Sequence, residues 1–214
     1  MLEAVLTLLL AACSDYYLES PTKEALPSED TATPAAETGS VQLEDTGPVD
    51  LESCEDGYWA DYFNLPADHP DVEIDWVEID DDVPSNHDWW DPQYFAFRQN
   101  DPGLDFGDQW WPVDTGLPGD PQYFAVHWVA TLDVAVDVVV PFELGSDDDG
   151  WAFIDGEQVA NLAGIHGVEE TEFLAPLLAG RHALDLYMAE RHTFNSGFWF
   201  RWLSDEVSIY ACPE

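Results

Sequence analysis

Three adjacent carboxylates, Asp147, Asp148 and Asp149, stand within "ELGSDDDGWAFIDG", which runs from Glu143 to Gly156. Strand-like apolar sequence flanks them on both sides, and Gly145 and Gly150 bound them where tight backbone turns are permitted. Neighbouring carboxylates repel unless water or a cation separates them. Two readings follow: a fully solvated turn, or a site for something positive. Consecutive aspartates supply hard oxygen ligands of the type that calcium collects.

Other residues able to do chemistry lie nearby in sequence. Glu190, in "ERH", is a spare carboxylate within reach of a cation on that loop, and Arg191 beside it suits charge-assisted hydrogen bonds that tie the loop. His166 in "GIHG" and His192 in "ERH" have no short-spaced His or Cys companion, so hydrogen-bonding roles are expected before transition-metal binding. Trp89 with Trp90, and Trp110 with Trp111, form two loop-borne aromatic pairs. Flat indole faces stack on the apolar faces of sugar rings. These four, with His192, are the candidate carbohydrate contacts; the alternative is that at least half of the tryptophans plug the core. No Gly-x-Ser-x-Gly, phosphate loop or His-Glu-x-x-His is present, and no carboxylate pair stands out as glycosidase-like. A non-enzymatic role is therefore expected.

The elements that must position these residues read as strands. In "VAVDVVVPFEL", Val134, Val136, Val138, Val140 and Phe142 alternate against Asp137, Pro141 and Glu143, which predicts one half-buried strand. "FWFRW" puts Phe198, Phe200 and Trp202 on one side, "WAFIDGEQV" reads as strand, Asp-Gly turn, strand, and "VSIYAC" as a last strand. "DPQYFA" occurs at Asp91–Ala96 and again at Asp120–Ala125, each time as an Asp-Pro turn feeding an aromatic strand. No long amphipathic helix is predicted. The pattern implies an all-β, antiparallel sandwich.

Composition limits the partners. Forty-five Asp and Glu against five Lys and Arg give a formal charge of −40 over 214 residues. Such a surface repels nucleic acid and anionic membranes, attracts cations, and suits high-salt surroundings. The N-terminal "MLEAVLTLLLAAC" is too short to span a bilayer and resembles a secretory signal ending in a lipobox, with Cys13 as the lipidated residue. Residues 1–13 are thus read as signal peptide and 14–53 as a disordered acidic linker. Residues 54–214 form the folded domain, touching a membrane only through the anchor. With Cys13 lipidated, Cys54 and Cys212 remain at the two ends of that domain and are expected to pair in an oxidising compartment.

"LGSDDDGWAFIDGEQVANLAGIHG" followed by "YMAERHTFNSGFWF" resembles the fibro-slime domain, a relative of the protective-antigen-type (PA14) β-sandwich of toxins, glycosidases and adhesins. "HPDVE" at His69–Glu73 is similar to the opening motif of that family, and "FGDQWW" at Phe106–Trp111 to its Phe-Asp-Gln-Trp segment. The resemblance implies a jelly-roll-type sandwich in which Asp147 and Asp148 hold calcium and the calcium holds sugar hydroxyls. Asn195 is the nearest match to the third ligand, although Gly197 stands where the pattern usually has its asparagine. The implied function is a calcium-dependent carbohydrate-binding or adhesion module on a surface or outer-membrane lipoprotein, its partner a carbohydrate or extracellular polysaccharide. The alternative is a structural component of a matrix or slime layer without a sugar site.

Overall fold

The computed structural model describes residues 51–74 and 82–213. Residues 1–13, read as a signal peptide ending at Cys13, and residues 14–50 of the expected linker lie outside the described residues. Twelve strands are found among those described: β1 (Glu55–Asp56), β2 (Tyr58–Asn64), β3 (Phe95–Asp101), β4 (Asp105–Gly107), β5 (Phe124–Val134), β6 (Val138–Asp147), β7 (Asp149–Ile154), β8 (Glu157–Leu162), β9 (Glu169–Leu177), β10 (Gly180–Glu190), β11 (Gly197–Trp202) and β12 (Val207–Ala211). The only helical turns described are 3-10 turns, among them Leu51–Ser53 within the stretch read as linker.

All pairings are antiparallel. The larger sheet runs β1-β12-β5-β10-β7-β8, with β2 alongside the first half of β5 and β3 beyond it; the smaller runs β4-β11-β6-β9. The two form a sandwich. Between them lie Trp128, Leu132, Leu186 and Met188 from the larger sheet and Val140, Phe142, Leu144, Phe198 and Phe200 from the smaller. Trp128 stacks on Phe198 across the gap with centroids 4.5 Å apart. Alternation along β11 and β6 thus faces one side of each strand to the core.

The expected Asp-Gly turn closes the β7–β8 hairpin: Asp155 and Gly156 have φ of 52° and 77°, the pair of positive values that a two-residue hairpin of this twist requires. Asp91 and Asp120 each accept a hydrogen bond from the backbone N–H two residues on, so both "DPQYFA" copies are turns leading into β3 and β5. One expected strand is corrected. "VAVDVVVPFEL" does not run as a single strand; β5 ends at Val134 and β6 starts at Val138, because Asp137 is at a turn where its carboxylate accepts from the Ala179 N–H at 2.8 Å. Alternation alone does not register a turn that falls in phase with it.

A second apolar cluster, with Leu65, Val72, Trp89, Tyr123 and Trp151, covers the outer face of the larger sheet. The 3-10 turn Pro92–Tyr94 and the segments around Val72 and Trp89 supply this layer.

Cys54 and Cys212 are disulfide-bonded, beside the β1–β12 pairing of Glu55 with Ala211. Closing a loop whose ends are 158 residues apart restricts the unfolded chain by roughly 5 kcal/mol in the chain-entropy description. The Cys54→Ser, Cys212→Ser variant is expected to unfold at a clearly lower denaturant midpoint than the parent. An unchanged midpoint would show that the bridge constrains nothing.

Candidate functional site

Asp147 ends β6 and Asp149 opens β7, so the three aspartates stand where the chain leaves the smaller sheet for the larger. They are not the tip of a hairpin: β6 pairs with β9 and β11, and β7 with β8 and β10. The peptide bond between Asp147 and Asp148 is cis. The glycines serve close approach rather than a tight turn. A Cβ on Gly145 would lie 2.0 Å from the Trp199 ring, and one on Gly150 would lie 2.5 Å from Ser146 Oγ.

The solvated-turn reading is overturned by burial. Asp147, Asp148 and Asp149 are 4%, 2% and 0% exposed. Carboxylates removed from water need partners. Asp149 has the fullest set: the guanidinium of Arg191 donates from Nε at 2.7 Å and Nη2 at 3.1 Å, and the Gly164 N–H also donates. Asp148 accepts from the backbone N–H of Arg191 at 3.0 Å and of His166 at 3.2 Å. Asp147 accepts from the Asn195 side-chain amide at 2.9 Å.

Glu190 is fully buried behind this group. Its Oε1 accepts from the His192 N–H at 3.0 Å, and its Oε2 has no hydrogen-bond partner among the described residues. Burial, with the charges of Asp148 and Asp147, pushes the Glu190 carboxyl up to about 11. Burial also pushes Asp148 up to about 7 against the pull of the Arg191 N–H, with Asp149 and Asp147 adding to the rise. Asp147 is raised by burial, opposed by Asn195. Burial disfavours the charged form of His166, but Nδ1 faces the Gly167 carbonyl at 2.8 Å and Nε2 the Leu162 carbonyl at 3.0 Å, and these two acceptors, with the charges of Glu169 and Asp149, raise its proton affinity above the ordinary value.

Arg191 anchors the group from below. Its guanidinium lies 4.6 Å over the Trp89 ring and its Nη1 donates to the Asp71 carbonyl at 3.3 Å. The Arg191 carbonyl accepts from the Glu73 N–H at 2.9 Å, and Trp89 Nε1 donates to the Asp71 carboxylate at 2.8 Å. The "HPDVE" segment is thus a buttress for Arg191. Near it His69, Asp71 and Asp88 converge closely enough to share an ion. His69 Nδ1 already accepts from the Asp71 N–H at 3.2 Å and Nε2 faces Asp88 at 3.1 Å, so this cluster reads as a closed hydrogen-bond network.

Above the aspartates opens a pocket of about 420 Å³. Asp147 and Asp148 line it together with Asp108 and Gln109 from one loop, Ile165–Val168 from a second, and His192, Phe194 and Asn195 from a third. Four expected residues therefore meet: Asp147, Asp148, Asn195 and His192. Glu190 abuts them from the buried side without lining the pocket. The tryptophans go elsewhere. Trp89 is fully buried, stacked on His87 at 3.7 Å and beneath Arg191. Trp90 packs edge-on against Tyr187 at 5.2 Å. Trp110 stacks on Phe106 at 4.1 Å, and Trp111 packs near Phe124 with centroids 6.2 Å apart, both against the main core. None of the four lines the pocket. Sequence reading did not pair Asp149 with Arg191 or anticipate the raised proton affinity of His166 and the exposure of Phe194. Only the "AERH" stretch carried a signal for the first.

No protein-family model and no curated protein sequence matches the chain. Solved structures do match in fold. The chain resembles the PA14 domain of the antifreeze protein MpAFP at 13% identity and a TM-score of 0.54, covering 86% of this chain and 92% of that domain. It resembles the epithelial adhesin 9 A domain of Candida glabrata, solved in complex with Galβ1-4GlcNAc, at 14% identity and a TM-score of 0.53, covering 75% and 91%. An anti-sigma factor domain-containing protein matches at 17% identity and a TM-score of 0.51; the chain spans 46% of that protein's length. The fold is that of a PA14-like β-sandwich.

Two outcomes follow from the electrostatics. Glu190 and Asp148 are raised above their unfolded values, so the folded state holds more protons than the unfolded chain between about pH 4 and the raised values. Their contribution to stability is complete below the unfolded values and is lost as pH rises, through about 7 for Asp148 and about 11 for Glu190. In chelator at fixed high salt, the melting temperature is expected to fall from pH 5 to pH 8, and less steeply in Asp148→Asn; a rising profile would contradict this. Separately, Arg191→Leu leaves Asp149 buried without its countercharge and is expected to cost about 3–5 kcal/mol. The Arg191→Leu, Asp149→Leu double variant is expected to cost less than the single one in denaturant titration. A single variant as stable as the parent would remove the pair from its structural role.

Proposed function

We propose that this is an exported surface module, of fibro-slime type, that binds carbohydrate through calcium held at the Asp147–Asp148 pair. The observation that carries the reading is a cluster of four buried carboxyl groups, Asp147, Asp148, Asp149 and Glu190, of which Asp147 and Asp148 open into a pocket. Arg191 is committed to Asp149, and the remaining carboxyls are kept from repelling one another by protons that Glu190 and, in part, Asp148 retain at neutral pH and that a divalent cation would replace.

The donor set fits the ion. Asp147 and Asp148 present carboxylate oxygens to the pocket, Asn195, whose amide nitrogen faces Asp147, would offer its carbonyl oxygen, and Glu190 adds a buried carboxyl behind them; all are hard ligands with no sulfur among them. Asp149 stays with Arg191. Bound there, calcium would supply open coordination positions for the hydroxyls of a sugar. Around it, Gln109, Asp108 and His192 supply the polar wall that orients a hydroxylated ligand. The PA14-like fold, shared with an adhesin solved with a disaccharide, supports the same reading. So does the surface charge, which draws cations and repels nucleic acid. The lipobox at Cys13 and the acidic linker fit display at the end of a lipid tether on the outer membrane or cell surface.

Calcium is expected to raise the melting temperature, since a ligand present at about 100 times its Kd stabilises the folded state by about 2.7 kcal/mol. Magnesium at equal concentration is expected to do less, and the Asp147→Asn, Asp148→Asn variant to lose the difference. Near pH 6 the ion displaces protons from the raised carboxyls, so calorimetric heats are expected to vary with the ionisation enthalpy of the buffer. A glycan array with and without chelator separates the sugar-binding reading from a purely structural matrix role. Equal stabilisation by both ions, shared by the double variant, would remove the site.

A further inference from the structure

Phe194 is the most exposed of the large apolar side chains among the described residues, at 88%. Single exposed apolar residues are common and need no explanation. Leu203 and Val113 are also highly exposed, yet neither lines the pocket. Phe194 does, immediately before the residue that donates to Asp147.

The loop that carries it is pinned on both sides. The His192 N–H is held by Glu190 at 3.0 Å and the Thr193 hydroxyl by Glu73 at 3.1 Å. On the other side the Ser196 carbonyl accepts from the Trp110 N–H at 2.9 Å. An apolar ring thus stands at the mouth of the pocket on a loop held at His192, Thr193 and Ser196. A fixed platform loses little conformational freedom when a ligand lands on it.

We propose that Phe194 is the specificity-determining residue of this pocket, packing against the C–H face of a hexopyranose whose hydroxyls point toward Asp147 and Asp148. This rests on the carbohydrate reading above and assigns to Phe194 the stacking role that the four tryptophans do not fill. A pyranose has hydroxyl edges and patches of C–H; the carboxylate floor and Gln109 address the former, and Phe194 with the half-exposed Val168 the latter. Sugars differing at one ring carbon present different C–H patches to the ring, so the platform discriminates between epimers.

The test uses the parent, Phe194→Ala and Phe194→Trp, with galactose-, glucose- and mannose-terminated oligosaccharides as probes in calcium, read by calorimetry. The calcium-induced rise in melting temperature is measured alongside and is expected to be the same in all three proteins. For the best-bound probe, Phe194→Ala is expected to weaken affinity roughly tenfold and to flatten the ranking among epimers, while Phe194→Trp restores binding. Parent-like affinity and ranking in Phe194→Ala would overturn the assignment of Phe194 and leave the pocket's function standing. Failure of the parent to bind any probe would overturn the carbohydrate reading and this inference with it.

Discussion

Everything around the site answers one constraint: the chain buries adjacent carboxylates where it crosses from one sheet to the other. In water such a cluster would be screened; here Asp148 and Asp149 are almost wholly removed from solvent, with Glu190 behind them. A buried ion pair seldom adds net stability over an apolar replacement, but a buried carboxylate without its partner is strongly destabilising. Arg191 is the partner for Asp149, and its backbone N–H serves Asp148 as well. Asp147 is left with the Asn195 amide as its donor, and the pocket opens on its side, while Glu190 stays buried behind. On the proposed reading, the same burial would make the floor of the pocket attractive to a hard cation.

The support for Arg191 reaches across the molecule. Its guanidinium rests over Trp89, which is itself clamped by Asp71 and stacked on His87. The layer on the outer face of the larger sheet therefore holds the position of a residue at the edge of the sandwich core. On the other side, Trp199 fills the space left by Gly145 and locks β11 against β6 just before the aspartates. Placed on these rigid elements, the pocket loops need few contacts of their own to keep a defined geometry.

Much of the sandwich was legible because its signals are local. Alternation in Phe198–Trp202 and Val207–Cys212, the Asp-Gly turn after Ile154 and the two Asp-Pro turns each depend on a few neighbouring residues. Cys54 and Cys212 were paired by elimination. The convergence of Asp147 and Asp148 with Asn195 came from resemblance to a known family rather than from spacing. What stayed hidden was long-range. Nothing local says that β6 and β7 belong to different sheets, which is why the aspartates read in sequence as a turn between two strands. The Asp149–Arg191 pair joins residues 42 positions apart. Trp89 reads in sequence both as a candidate sugar contact and as a core plug, because an indole in a loop has the same sequence signature whether it stacks on a ligand or under an arginine. Phe194 had no pattern to mark it, since exposure in a loop follows no period.

The central claim is that the carboxylates at the sheet crossing are arranged around an ion. The most direct measurement is a crystal structure of the protein grown with calcium, with anomalous diffraction to identify the metal. The account predicts one ion at the pocket floor, bound by oxygens of Asp147, Asp148 and Asn195 at about 2.3–2.6 Å, with Asp149 still paired to Arg191. A pocket floor holding only water at saturating calcium, with Asp147 still hydrogen-bonded to the Asn195 amide, would contradict it.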